Sequence, residues 1–307
     1  MTRPNRRRGP TGAVGVSAHL QTAGASAESA DGRVRLWAGI GALPSEGYAC
    51  LQATNGARSI RLLCFPYAGG GRSAFAAWNP SKRIASDSGS VEICPLQYPG
   101  RETRWGEPGF ETLADLVEAI RNDLAPIWTQ PFAFFGHSFG AIVAFEVARA
   151  LERAHAPLPL RLFVSGARAA RLPKREPIHD LDDQAFLSKL RAFNGVPEEA
   201  LRYPDLMSAA MPALRHDFRL LETHIATSSA PISVPISAFG GLQDAAVPVA
   251  DVLAWASETT KAFRTRFFQG DHFFAFSSGS RITDLIGEDL SASANLVPRT
   301  ALGSMST

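Results

Sequence analysis

The chain has 307 residues, of which 45% are hydrophobic, 20% charged and 9% aromatic. These proportions are typical of globular proteins and exclude collagen, coiled coils and disulfide-rich miniproteins. The net charge is only +2, and the first 57 residues hold six basic and three acidic residues, so residues 58–307 carry −1 and no nucleic-acid partner is expected.

The N-terminal segment, residues 1–57, is rich in glycine, alanine, serine and arginine, which predicts a flexible extension. Its arginines and the later Ala25-Ser26-Ala27 resemble the two ends of a signal peptide, but the required apolar segment between them is missing. No stretch predicts a membrane span. Three cysteines without a C-x-x-C spacing predict neither a disulfide framework nor a metal site, so a cytoplasmic location is expected.

Beyond residue 57, short apolar runs alternate with helical patterns, which predicts an α/β fold with a mostly parallel sheet and helices on both faces. The candidate strands are largely apolar, as buried parallel strands are. They cover residues 60–65, 91–98, 131–135, 161–165, 235–239 and 263–268. Pro95 weakens the second prediction because proline cannot donate to a strand ladder.

Helical periodicity predicts helices at residues 112–124 and 142–151. The interval after residue 171 breaks the alternation, since it has helical patterns at 182–193, 198–201 and 205–224 but no convincing strand. We therefore predict an inserted helical lid at about 172–234. The predicted organisation is an extension (1–57), one domain with the lid (58–292) and a flexible C-terminal tail (293–307).

A candidate nucleophile lies in Gly136-His137-Ser138-Phe139-Gly140, which matches G-x-S-x-G. An apolar strand precedes it and a helix rich in small residues follows, which is the context of a nucleophile elbow. The glycines are expected because the serine takes a strained backbone conformation, and a side chain two positions away would collide with the neighbouring chain. Ser138 is therefore the predicted nucleophile.

A serine hydroxyl needs a base, normally a histidine oriented by a carboxylate, and α/β hydrolases place them in the order Ser, acid, His. Five histidines follow Ser138, and His272 is the one that comes just after a predicted strand. Asp244 follows the strand at 235–239 and is the preferred acid. Asp271 is a rival, although adjacent residues rarely aim their side chains at one another. Asp251, within a helical pattern, is a weaker rival.

Acyl transfer also needs backbone N–H donors for the oxyanion. Phe139 follows the nucleophile and supplies one candidate amide. Ala68 supplies the other, because it lies in a glycine-rich loop after the first strand, Phe65-Pro66-Tyr67-Ala68-Gly69-Gly70-Gly71. The loop lacks the G-x-G-x-x-G and G-K-[ST] patterns, which disfavours a phosphate site.

Four segments in this order resemble the motifs of type II thioesterases of polyketide and nonribosomal peptide assembly lines. They are Phe65-Pro66-Tyr67-Ala68-Gly69-Gly70, Tyr98-Pro99-Gly100-Arg101-Glu102, Gly136-His137-Ser138-Phe139-Gly140 and Gly270-Asp271-His272-Phe273-Phe274. The match spans about residues 60–290. The resemblance implies an α/β-hydrolase fold with a mobile helical lid, which removes acyl groups from the phosphopantetheine arm of acyl or peptidyl carrier proteins without a cofactor or a metal.

The resemblance also implies roles for single residues. The family's nucleophile, acid and base fall on Ser138, Asp244 and His272, and its oxyanion donors fall on the backbones of Ala68 and Phe139. Tyr67 departs from the family, which often has histidine at that position. The first 57 residues lie outside the match.

Two features of the insertion region have alternative interpretations. A basic cluster before it is either a docking patch for acidic carrier proteins or an ordinary solvated loop, and it consists of Arg168, Arg171, Lys174 and Arg175. Apolar side chains within it either line an acyl pocket or form ordinary core, and they are Phe186, Leu190, Phe193, Leu206, Met207 and Met211.

The function also has two alternatives. A carboxylesterase or lipase for free esters would have the same triad. A catalytically inactive hydrolase fold that serves as an interaction module is disfavoured, because all three triad positions are filled. A monomer is expected.

Overall fold

The structure, a computed structural model, describes residues 59–78, 84–86, 89–192, 194–196, 202–226 and 228–294. The predicted extension at 1–57, the helical pattern at 198–201 and residues 295–307 of the predicted tail lie outside them.

Seven strands form one sheet in the order β2-β3-β1-β4-β5-β6-β7. The strands are β1 (Ser59–Phe65), β2 (Ile84–Ser86), β3 (Gly89–Pro95), β4 (Phe132–His137), β5 (Leu162–Ser165), β6 (Ile236–Gly241) and β7 (Phe263–Phe268). The pair of β2 with β3 is antiparallel and the other pairs are parallel, so the predicted mostly parallel sheet is confirmed. All six predicted strands are present, whereas the short edge strand β2 was not predicted. β3 ends at Pro95, whose ring has no N–H to extend the ladder.

The helices are α1 (Leu113–Asp123), α2 (Phe139–Arg153), α3 (Asp183–Ala192), α4 (Pro204–Thr223), α5 (Val249–Leu253), α6 (Phe274–Ser277) and α7 (Gly279–Ala294). α1 begins after Thr112, whose hydroxyl accepts from the Asp115 amide in a capping box. α2 begins three residues before the predicted start at 142. α7, which was not predicted, ends two residues beyond the predicted domain boundary at 292.

Side chains of β1 alternate between two apolar cores, one on each face of the sheet. Leu63 and Phe65 belong to the core that also contains buried side chains of α1 and α2. Leu62 and Cys64 belong to the opposite core, which contains buried side chains of α7. The predicted helices on both faces are therefore confirmed, and the loops at the edge of the sheet follow strands that are covered on both faces.

The chain between β5 and β6 carries α3 and α4, which we call the helical insertion (residues 172–234). Its helices pack through an insertion cluster of buried side chains, Ile178, Phe186, Leu190, Val196, Met207, Met211 and Leu214. Four of the six predicted pocket residues lie in this cluster, so ordinary packing accounts for them. Leu206 is 57% exposed, and Phe193 lies outside the described residues.

Among the helices of the described residues, none is long and apolar enough to span a membrane.

Candidate active site

The turn between β4 and α2 carries Ser138 at φ 54° and ψ −118°. A non-glycine residue in this region is strained and persists only where its surroundings hold it. Here the Ser138 amide donates to the Ser165 carbonyl at 2.8 Å, and the Ala141 amide donates to the Ser138 carbonyl at 3.0 Å. The turn is therefore fixed at both ends, by the neighbouring strand and by the first turn of α2.

The two motif glycines occur where the chain has no room for a side chain. A Cβ at Gly136 would lie 2.5 Å from the Ala141 Cα, and a Cβ at Gly140 would lie 2.5 Å from the Pro66 carbonyl oxygen. Protein Cβ atoms do not approach backbone atoms this closely. The same contacts bring the loop after β1 against the first turn of α2.

We predict that Gly140→Ala destabilises the protein by about 3 kcal/mol, because the added methyl must displace backbone in a well-packed region. The measurement is the free energy of unfolding in denaturant. Gly106→Ala is the matched control, since nothing lies within 4 Å of a Cβ built there; its effect should stay within about 0.5 kcal/mol. Equal stability of the two variants would contradict this account of the elbow.

The structure brings the three predicted triad residues together. The His272 Nε2 lies 3.0 Å from the Ser138 Oγ, and its Nδ1 lies 2.8 Å from the Asp244 Oδ2. Ser138, Asp244 and His272 follow the carboxyl ends of β4, β6 and β7, and these ends meet at one edge of a parallel sheet. A nucleophile, a base within hydrogen-bond reach and a carboxylate that orients the base are the parts required for nucleophilic catalysis.

Asp244 is held from its other side by the backbone. Its Oδ1 accepts from the amides of Ala246 at 2.8 Å and Val247 at 3.0 Å, and its side chain is 0% exposed. A buried carboxylate is tolerated when such donors satisfy it. The arrangement leaves Oδ2 for the imidazole and assigns the proton of neutral His272 to Nδ1, so that Nε2 can accept from Ser138.

The rival acids lie elsewhere. Asp271 is exposed, and its Oδ1 accepts from the Phe273 amide at 2.9 Å. Asp251 lies in α5, where its Oδ2 pairs with the Arg168 Nε at 2.6 Å. Of these three acids, Asp244 is the one in contact with His272.

The two predicted oxyanion donors, Ala68 and Phe139, lie in different elements. Phe139 is the first residue of α2, where amides have no partner within the helix and the helix dipole is positive. Ala68 lies in the oxyanion loop, which we define as residues 66–71 after β1. In this loop Gly70 donates to the Tyr67 carbonyl at 2.9 Å, and Gly69 has a φ of 73° that suits glycine.

His137 is a neighbour of the triad to which the sequence analysis gave no role. Its side chain is fully buried, and its Nδ1 lies 3.0 Å from the Ser165 Oγ. Burial first, and the adjacent His272 second, lower the pKa of His137 well below its usual range, so it is neutral. Its ring packs against His272 and against the aromatic rings of Tyr67, Phe273, Phe274 and Phe276. The imidazole ring of His272 therefore packs against uncharged, largely aromatic side chains.

The predicted docking patch is mostly engaged within the chain. The Arg168 Nε pairs with Asp251 at 2.6 Å, and the Arg171 Nε pairs with Glu258 at 3.2 Å. Lys174 donates to carbonyl groups at the C-terminal end of α4. Asp251 and Glu258 offset part of the charge of the patch, and the carbonyl groups around Lys174 carry no formal charge, so docking at this patch stays a prediction.

Taken together, these contacts suit nucleophilic catalysis by Ser138, with His272 as the base and Asp244 as the carboxylate that orients it, and the two oxyanion donors stay predictions. Across the described residues, no group of three or more His, Cys, Asp or Glu side chains is arranged to hold a metal ion.

Comparison with known proteins gives one consistent result. The family model for the thioesterase domain matches residues 60–290. The gramicidin S biosynthesis protein GrsT of Aneurinibacillus migulanus is 37% identical over 240 residues, which cover 77% of this chain and 91% of GrsT.

Two solved structures agree. The RedJ thioesterase from the prodiginine pathway of Streptomyces coelicolor superposes with a TM-score of 0.68 at 34% identity, covering 78% of this chain and 96% of RedJ. The type II thioesterase BorB from the borrelidin biosynthetic cluster gives a TM-score of 0.66 at 32% identity, covering 76% of this chain and 93% of BorB. These neighbours share the α/β-hydrolase architecture seen here.

Proposed function

Since the chain belongs to the thioesterase domain family, we propose that it is an editing type II thioesterase. Its substrates are acyl thioesters on the phosphopantetheine arm of acyl or peptidyl carrier proteins, and no cofactor takes part. The observation that carries the proposal is the continuous contact from Asp244 through His272 to Ser138, at 2.8 and 3.0 Å, in a chain related to assembly-line thioesterases.

In the first half of the reaction, the Ser138 Oγ attacks the thioester carbonyl and the His272 Nε2 takes the hydroxyl proton. Asp244 stabilises the imidazolium that forms. The amides of Ala68 and Phe139 hold the oxyanion of the tetrahedral intermediate. Collapse breaks the C–S bond and releases the pantetheine sulfur, which needs little acid assistance because a thiol has a pKa of about 8.5; His272 returns the proton to it.

In the second half, water attacks the acyl-serine ester and His272 takes a proton from that water. The second tetrahedral intermediate uses the same two amides. Its collapse releases a carboxylic acid and restores the Ser138 hydroxyl with the proton from His272. The balance is one thioester and one water consumed, one acid and one carrier thiol formed.

The helical insertion borders this site, because Ala68 packs against the insertion cluster. We assign it the role of lid over the acyl group. A cytoplasmic location and a monomeric state stay predictions.

The main alternative is a hydrolase of free esters, for which the triad would be the same. We predict that kcat/KM for an acyl group on a carrier protein exceeds that for the same acyl group as a soluble oxygen ester by at least about tenfold, or 1.4 kcal/mol. The measurement is release of the free acid from both substrates. Acyl-pantetheine without the carrier protein is the control, because it separates the effect of the thioester bond on kcat/KM from the effect of the carrier protein. A preference for the soluble ester would overturn the proposal.

A further inference from the structure

The oxyanion loop is in direct contact with helix α4 of the helical insertion. The Gly69 amide donates to the Asp217 Oδ2 at 2.8 Å. Leu214 lies three residues earlier on α4, and its Cδ1 would be 3.1 Å from a Cβ at Gly69. Residues three apart share a helix face, so one face of α4 covers the loop. The residue next to Gly69 is Ala68, which supplies a proposed oxyanion donor.

A buried ion pair holds Asp217 in this position. Arg101 donates to both carboxylate oxygens, from Nη1 at 2.5 Å and from Nη2 at 2.9 Å. The two side chains are only 6% and 2% exposed. Arg101 also donates from Nη1 to the Gly70 carbonyl at 3.3 Å. Both members of the pair therefore touch the oxyanion loop, one at Gly69 and the other at Gly70.

Arg101 is itself anchored to the segment after β3. Its Nε donates to the Pro99 carbonyl at 3.2 Å, and its own carbonyl accepts from the Gln97 Nε2 at 2.9 Å. Gln97 in turn accepts from the Arg72 amide, just beyond the loop, at 2.8 Å. The loop is thus connected by hydrogen bonds to both α4 and the segment that follows β3.

A buried ion pair of this kind is not explained by stability alone. Desolvation of both charges offsets much of their attraction, and apolar residues of similar size are often equally stable or more so. Apolar residues, however, could neither accept a hydrogen bond from the Gly69 amide nor donate one to the Gly70 carbonyl.

We propose that Arg101 and Asp217 are positioning residues, which hold the amide of Ala68 in place for the oxyanion and make the oxyanion hole depend on the position of α4. The inference rests on the proposed function through the role of Ala68. Neither residue touches the substrate. Because Asp217 lies on α4, displacement of α4 from the loop would break its hydrogen bond with the Gly69 amide.

The test uses the full chain and a short-chain p-nitrophenyl ester, which reacts through Ser138 and the oxyanion loop without a carrier protein. Asp217→Asn removes the charge at nearly constant size. Its kcat should fall about 100-fold, the effect of misplacing a catalytic group by roughly 1 Å, while KM changes less than about threefold. A kcat equal to that of the wild type would overturn the proposal.

A second variant separates positioning from folding. Arg101→Met with Asp217→Leu removes both charges, so the thermal midpoint should stay near that of the wild type. Its kcat should still be about 100-fold lower, because the contacts with Gly69 and Gly70 are gone. If this double variant had both the kcat and the thermal midpoint of the wild type, the positioning role would be contradicted.

The matched control is the ion pair of Glu146 and Arg149, which is equally buried at 5% and 5% exposure and 2.9 Å long. Glu146→Leu with Arg149→Met should leave kcat within about twofold, since the charged atoms of this pair contact each other and His224, at the C-terminal end of α4, rather than Gly69 or Gly70. An equal fall in kcat in this control would overturn the proposal. The ester readout requires the triad and the oxyanion loop but no carrier protein, so a chain that prefers soluble esters would refute the proposed carrier substrate and leave this test valid.

Discussion

Replacement of Ser138 by alanine is expected to lower kcat for thioester hydrolysis by about a millionfold, the effect of removing the nucleophile from a triad that works as a unit. The hydroxyl is the group that His272 contacts at 3.0 Å. Rate measurements would follow release of the carrier thiol with a chromogenic disulfide. Alanine keeps the size of the turn residue, so the thermal midpoint should remain within a few degrees of the wild type.

The double variant Ser138→Ala with His272→Ala provides the internal control. Its rate should equal that of Ser138→Ala, because a base without its nucleophile contributes nothing further. If the loss of kcat in the double variant equalled the product of the losses in the two single variants, the two residues would act independently. Activity above about 1% in Ser138→Ala would show that another group attacks the substrate.

The second large effect is expected at Asp244, where Asp244→Asn should lower kcat by about 10⁴-fold. The amides of Ala246 and Val247 donate to Oδ1, so the asparagine carbonyl would be directed at them and its NH2 group at the His272 Nδ1. The imidazole proton would then lie on Nε2, which could no longer accept from Ser138. The shape of the site would be unchanged.

Asp271→Asn is the matched control for that variant. Asp271 is exposed and accepts from the Phe273 amide, so its substitution should change kcat less than about threefold. A large loss in Asp271→Asn with none in Asp244→Asn would reverse the assignment of the acid. Steady-state kinetics on a single thioester substrate distinguishes the two outcomes.

The predictable parts of the fold are those with local signals. Each of the six short apolar runs predicted to be a strand lies in the sheet, and G-x-S-x-G between a strand and a small-residue helix indicated the elbow at Ser138. The edge strand β2 has only three residues and no distinctive pattern. The start of α2 was placed too late because the elbow feeds directly into the helix at Phe139, ahead of the first periodic apolar residue.

The contacts around the site were beyond sequence reasoning because they join distant parts of the chain. Gly69 and Asp217 are 148 residues apart, and Arg101 and Asp217 are 116 apart. Arg101 stood within a recognised motif, but nothing local indicates that its partner is a carboxylate on α4. The ion pair of Arg168 with Asp251 spans 83 residues, so the sequence could not show that part of the basic patch is paired within the chain.

The proposed function requires Ser138 to cleave the thioester of an acylated carrier protein. Mass spectrometry of one acylated carrier, after incubation with the wild type or with Ser138→Ala, tests it most directly. The wild type should return the carrier to its free thiol form, and Ser138→Ala should leave it acylated. A carrier that stays acylated with the wild type, or loses its acyl group equally with both proteins, would contradict it.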